Sequence, residues 1–248
     1  MLSKKAANFL GAFKMVLVAS LLGGCASQKA LTPTDRMNFL DKEIESSFTV
    51  RKILNPSAKK TSSLKVGQWV SWSTHYKGKS QAPHYSTLRL IKLKKDRATF
   101  EVETHLAGHD RPHRFIYQLK GFPVQQSLGP DRKEYEKLLQ KIFFEKITVQ
   151  TGSEKAVEML PSRVKSIDEH AHNLVFEGVR TSKMIAEKCE TEFIQSSRCW
   201  AYDYEIDRIK FRSKGRVWVH SAIPIFGVVR AEDEQSITRV IQFGENRK

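Results

Sequence analysis

The chain of 248 residues lacks a long apolar run. The one near its start, Met15-Val16-Leu17-Val18-Ala19-Ser20-Leu21-Leu22, is short. Eight helical residues rise only about 12 Å, against about 30 Å for a bilayer core, which excludes a permanent membrane-spanning helix there. Cysteine is scarce, at three residues, so a metal site built on Cys189 and Cys199 would lack two ligands, with no further Cys or His near them at ligand spacing. Acidic residues are in deficit: 27 Asp and Glu face 42 Lys and Arg, a net charge of +15, and none falls within 1–24. No Gly-x-Ser-x-Gly elbow, phosphate loop or zinc-protease helix is present, so no enzyme class is indicated and no catalytic residue, metal or cofactor is expected. Internal repeats and low-complexity tracts are also missing, and the strand-like segments are not separated by regular helices, which argues against a parallel sheet.

What is present begins with targeting. Lys4, Lys5 and Lys14 give a positive start, the apolar run follows, and Leu22-Gly23-Gly24-Cys25 closes it. Small residues let a peptidase approach the backbone between Gly24 and Cys25, and the cysteine sulfur can accept a diacylglycerol. This stretch resembles the lipobox of bacterial lipoproteins. The resemblance implies removal of 1–24, lipid attachment at Cys25 and, with Ala rather than Asp at position 26, sorting to the outer membrane, facing the periplasm. Residues 25–63 then read as a lipid tether and an N-terminal helix. Thr32-Pro33-Thr34-Asp35 offers a helix start, and Met37, Leu40, Ile44 and Phe48 form one apolar stripe. With Cys25 lipidated, Cys189 and Cys199 remain as a pair ten positions apart, and in an exported chain they predict one disulfide.

From Val66 the apolar period becomes two. Val66 to Thr74, Tyr85 to Lys94, Ala98 to Leu106 and Arg114 to Leu119 read as an antiparallel meander with one buried face. Pro130-Asp131-Arg132-Lys133-Glu134, followed by Tyr135, Leu138, Leu139, Ile142 and Phe143, predicts a helix over about 131–144 lying across the sheet. Strands are expected again at Lys146 to Gln150, Leu174 to Val179, Ala201 to Phe211, Arg216 to Ser221, Val228 to Glu232 and Ile237 to Phe243. The stretch at 180–200 fits either a strand or a short helix. The fold expected for 64–248 is therefore mainly β with a few helices: a curved antiparallel sheet or half-open β-barrel covered by a helix.

The segment Arg216-Val217-Trp218-Val219-His220-Ser221-Ala222-Ile223-Pro224-Ile225-Phe226-Gly227-Val228-Val229-Arg230, paired with Val66-Gly67-Gln68-Trp69-Val70, resembles a motif of uncharacterised exported bacterial proteins. These are similar in outline to the half-open β-barrels of lipoprotein carriers. Pro224 and Gly227 fit a structural turn. The aromatics Trp69, Trp72, Phe100, Phe115, Phe122, Phe143, Trp218 and Phe226 fit either a core or the lining of a cavity for a hydrophobic ligand.

Other clusters read as structural. His105, His109 and His113 are spaced by four, but Gly108 and Pro112 break any helix between them, leaving a polar hairpin tip. Asp203, Glu205 and Asp207 share a strand face with Arg208, Lys210 and Arg212 nearby, which predicts cross-strand ion pairs. The basic charge is spread over Lys59-Lys60, Lys92 to Lys95, Arg111 to Arg114 and Arg208 to Arg216. Outside a cell its partners would be lipid headgroups, acidic envelope polymers or an envelope protein, not nucleic acid. Two readings follow: a lipid-anchored, non-enzymatic scaffold or interaction module, or a lipid-anchored carrier with an apolar cavity.

Overall fold

Alternation of apolar and polar side chains from Val66 onward dictates strands, and strands dominate the fold. In the computed structural model the described residues are 64–80, 82–106, 110–122, 137, 140–176, 179–182, 185–189, 191, 193–194, 198–208 and 211–246, without the side chains of 170–176, 179–181, 206–208 and 211–213. Residues 41–248 cluster into one unit, to which all of these belong. Gly24, Cys25, the tether and the apolar stripe lie outside the described residues.

Among the described residues the strands are β1 (Gln68–Tyr76), β2 (His84–Lys94), β3 (Arg97–His105), β4 (His113–Lys120), β5 (Phe143–Thr151), β6 (Val157–Glu158), β7 (Val179–Thr181), β8 (Ile185–Lys188), β9 (Arg198–Arg208), β10 (Phe211–Val219), β11 (Val228–Asp233) and β12 (Ser236–Glu245), and the helix α1 spans Pro161–Phe176. They form a single sheet in the order β6-β5-β4-β3-β2-β1-β12-β11-β10-β9-β7, with β8 also on β9. Every pairing is antiparallel. The first strand and the last meet in the middle, from Gln68 opposite Glu245 to Tyr76 opposite Ser236. One meander therefore runs outward from this seam to β6, and a second runs inward from β7.

The sheet is curved and does not close into a barrel. The helix carries the chain from the β6 edge to the β7 edge. Sixteen helical residues rise about 24 Å, and with the flanking residues the connection reaches at most about 40 Å, whereas eleven flat strands would hold their edges about 48 Å apart. Curvature also shows directly. Phe226, just before β11, lies with its ring 5.8 Å from Phe100 on β3, although β3 and β11 are four strand positions apart.

The concave face holds the core. Val70 and Trp72, Leu88 and Leu90, Ala98, Phe100 and Val102, Phe115, Tyr117 and Leu119, and Ile147 and Val149 are all buried at alternate positions of β1 to β5. Val217, Val219, Val228 and Val240 continue this layer on β10 to β12.

Most of 131–144, where a helix is expected, lies outside the described residues; Lys137 within it is helical. Its expected end is too long by two residues, since Phe143 and Phe144 begin β5, with Lys120 opposite Phe143. Helix α1 begins at Pro161, which suits a first helical position, and buries Val164 and Ile167. It includes Leu174 to Phe176, which sequence assigned to a strand. Asp168 on α1 accepts the backbone N–H of Phe144 at 2.8 Å, and Met159 donates to the Ile147 carbonyl at 2.9 Å. Both contacts satisfy backbone groups on the outer edge of β5.

Candidate interaction surface

The concave face is filled by its own chain. Ile223 and Phe226, in the turn between β10 and β11, are each 3 % exposed. Phe226 lies against Phe100, and Phe100 meets Phe122 edge-on at 5.5 Å. Trp72 Nε1–H donates to the Val228 carbonyl at 3.1 Å, tying β1 to the end of this turn. The His220 N–H donates to the Gly227 carbonyl at 2.8 Å and closes its neck. Ile225 at the tip has φ of 63°, a left-handed conformation rare for a β-branched residue. The turn thus holds a strained residue while seating two large apolar side chains. Of the aromatics read from sequence, Trp72, Phe100, Phe115, Phe122 and Phe226 are core, whereas Phe143 is exposed.

Toward the other strand ends the same face turns polar. The hydroxyls of Thr74 and Thr238 are 2.9 Å apart, those of Ser86 and Thr104 3.4 Å, and His113 Nδ1 is 3.2 Å from Thr151 Oγ1. Thr104, His113 and Thr238 are buried. His113 thus belongs to the interior, while His105 is exposed on the convex face beside Glu103 at 3.1 Å. His109 lies outside the described residues. Among the described residues no three His, Cys, Asp or Glu side chains are placed so that they could hold a metal ion.

Cys189 and Cys199 are joined, with Cα atoms 5.0 Å apart, and fasten the end of β8 to the start of β9. Both are buried. Asp203 and Glu205 form the expected cross-strand pairs, but with Arg216 and Lys214, each at 3.0 Å, because β9 and β10 set these residues opposite one another. The side chain of Asp207 is not described.

Beside the disulfide, on the convex face, Trp218 lies between two guanidinium groups, Arg230 at 4.9 Å and Arg216 at 5.7 Å from its ring. Its Nε1–H donates to Glu187 on β8 at 2.9 Å, and Glu187 also pairs with Arg216. Glu232 accepts Lys77 at 2.9 Å and Arg230 at 2.5 Å. The hydrogen bond from Lys77 is the main cause holding the Glu232 carboxyl below its ordinary value, and Arg230 adds to it against a smaller opposing effect of burial. A neighbouring concavity of about 670 Å³ has five carboxylates, Asp203, Glu205, Glu232, Asp233 and Glu234, with three cations in its wall. Gly215 in that wall sits under the Tyr204 ring, where an added Cβ would come within 2.6 Å. Sequence reading missed Glu187, whose partners lie some 30 positions away and become neighbours only through strand register.

A second convex network joins Arg89, Glu101, Glu103 and Arg114. Arg89 reaches Glu101 at 2.9 Å, and Arg114 reaches Glu103 at 3.4 Å. Burial pushes the Glu103 carboxyl up, but hydrogen bonds from His105 and Arg114 and the charge of Arg89 outweigh it, and the net displacement is downward.

Several further described basic residues gather at one end of the sheet. Register sets Lys94 beside Arg97, Arg97 beside Lys120, and Lys120 beside Phe143. The Lys120 ammonium lies 5.8 Å from the Phe143 ring centre. Lys92, Lys95 and Lys141 are exposed nearby, as are Ile91 and Phe143, at 42 % and 39 %. Arg97 pairs with Glu145 at 3.0 Å. Among the described residues no carboxylate pairs with Lys92, Lys94, Lys95, Lys120 or Lys141. The chain comes into the described domain at this same end, where Gly67 donates its N–H to the Leu90 carbonyl at 2.9 Å.

No protein-family model matches the chain, and no curated protein matches it. Two solved structures are similar to it over most of their length. A hypothetical protein of Chlamydia trachomatis aligns at 8% identity with a TM-score of 0.36, covering 77% of this chain and 94% of the other. A "putative exported protein with YmcC-like fold" from Bacteroides fragilis aligns at 10% identity with a TM-score of 0.33, covering 73% and 97%.

Proposed function

We propose that this protein is a lipid-anchored, non-enzymatic module of the bacterial cell envelope that acts through its outer surface. The filled concave face carries this reading. Phe226 and Ile223 occupy the space in which a carrier would hold its cargo, and their own chain holds them there. What lies outward is a charged surface divided into an ion-paired region around Trp218 and a basic end around Lys94, Arg97 and Lys120. The resemblance of Leu22–Cys25 to a lipobox supports attachment to a membrane, the joined Cys189 and Cys199 suit an oxidising compartment, and Ala26, on the same resemblance, favours the outer membrane.

Mass spectrometry of the protein purified from its own membrane tests this. A denatured mass equal to residues 25–248 plus diacylglycerol and acyl chains, less two protons, is expected. An unlipidated mass refutes the anchor. A further lipid-sized mass present only in the native spectrum refutes the filled interior and restores the carrier reading.

A further inference from the structure

We infer that the end of the sheet formed by the β2–β3 turn and the β4–β5 approach is a docking face for the anionic headgroups of a phospholipid bilayer. The inference rests on the proposed membrane anchoring and adds to it a face and an orientation.

Three observations converge. First, among the described residues no carboxylate pairs with Lys92, Lys94, Lys95, Lys120 or Lys141, while Lys120 lies against the Phe143 ring. Elsewhere on the convex face Arg216, Arg230, Lys77 and Lys214 are neutralised by Glu and Asp. Interspersed with the basic group are Asp96 and Glu145, of which Glu145 is already engaged by Arg97. Among the described residues this end therefore carries a local surplus of positive charge. Second, the lysines flank exposed apolar side chains, Ile91 and Phe143. Long lysine stems that reach past an apolar group to place ammonium ions at phosphate level are the chemistry of an interfacial surface. A soluble acidic polymer needs only the charge. Third, the segment that leads from Cys25 joins the domain here, at Leu64 to Gly67, beside Leu90 and two residues from Lys92. An anchor acting through that segment draws this end toward the bilayer, where each basic side chain gains electrostatic attraction.

Docking then fixes the orientation of the domain. The strands stand away from the bilayer, and the opposite strand ends, with Lys79 and Lys155, face away from it.

Amine labelling of the native protein tests this with internal controls. The protein purified from its membrane is reconstituted with vesicles of phosphatidylcholine alone or phosphatidylcholine with phosphatidylglycerol. It is then exposed briefly to an acetylating reagent, and each lysine is read by peptide mass spectrometry. Lys92, Lys94, Lys95, Lys120 and Lys141 are expected to label at least about fivefold more slowly on anionic vesicles, with Lys79, Lys155 and Lys165 unchanged. The protection is expected to vanish at about 0.5 M salt, where screening shortens to a few Å. In a K92Q/K94Q/K120Q variant the docked fraction should fall about fivefold per lysine, on the order of a hundredfold in all, and Lys95 and Lys141 should label freely. An arginine triple at the same positions should keep Lys95 and Lys141 protected. Equal slowing of both lysine sets, equal slowing on neutral vesicles, or no slowing overturns the inference. So does protection by soluble polyphosphate with none by anionic vesicles. If the native mass carries no lipid, the anchored reading fails, while the labelling pattern with added vesicles still judges the face. If the mass is lipidated and the pattern absent, the face alone fails.

Discussion

Replacing Phe226 by alanine tests whether the turn between β10 and β11 is structural filling. The side chain is 3 % exposed and its ring sits 5.8 Å from that of Phe100. Loss of burial costs about 2–3 kcal/mol, the aromatic pair adds about 1 kcal/mol, and the void left behind brings the total to about 4 kcal/mol. That is a large part of the roughly 5–15 kcal/mol that holds a domain folded. Urea unfolding, followed through the fluorescence of Trp72 and its neighbours, should show a lower midpoint with an unchanged slope. Ile225, the next residue along the chain, provides a contrast. Its φ of 63° carries strain of roughly 1–2 kcal/mol. Ile225→Gly relieves that strain, loses part of a half-buried side chain and loosens the unfolded chain, so its stability should stay within about 1 kcal/mol of the parent. A cost below about 1 kcal/mol for Phe226→Ala, or one above about 3 kcal/mol for Ile225→Gly, would refute the idea that the apolar plug, rather than the turn tip, is what the core requires.

Replacing both Cys189 and Cys199 by alanine frees a loop of ten positions and should lower stability by about 2–3 kcal/mol in chemical denaturation. Glu103 and Glu232 both have folded pKa values held below 4.5. Their contribution is therefore complete above that value and is lost as pH falls through the lowered folded values. The unfolding midpoint should drop on acidification below about pH 5, and a Glu103→Gln/Glu232→Gln variant should show a shallower acid limb. At Gly121, with φ of 75°, an added Cβ would lie 1.9 Å from the Lys141 carbonyl oxygen. Gly121→Ala should cost at least about 2 kcal/mol and shift the backbone signals of Lys141 and Ile142 in NMR spectra.

The meander was largely readable because period-two alternation is a local signal. The segments around 85–94, 98–106 and 114–119 match β2, β3 and β4 to within two residues. The helix at 161–176 escaped notice because its apolar residues are sparse, and Leu174-Val175-Phe176 at its end looks like a strand. Pro161, with Val164 and Ile167 at a three-residue step, was the available signal. Boundaries in the second half slipped as well. Phe211 belongs to β10 rather than to the preceding strand, since the hairpin turns between Arg208 and Phe211. The disulfide was legible from cysteine count. The grouping of Glu187 with Trp218 and Arg216 was not, because register brings them together and no local pattern encodes it.

The meeting of β1 with β12 governs the order in which the fold can be completed. Each meander assembles from neighbours close in sequence, at small loop-closure entropy. The seam joins residues such as Thr74 and Thr238, 164 positions apart, and must wait for the final strand. Sheet closure is therefore the high-contact-order step and sets the folding rate. Until Ser236 to Glu245 arrives, the chain consists of two half-sheets, with the long edge of β1 and the shorter edge of β11 unsatisfied at the place that later becomes the centre. Loss of this last strand alone would part the molecule along its middle, not fray its end.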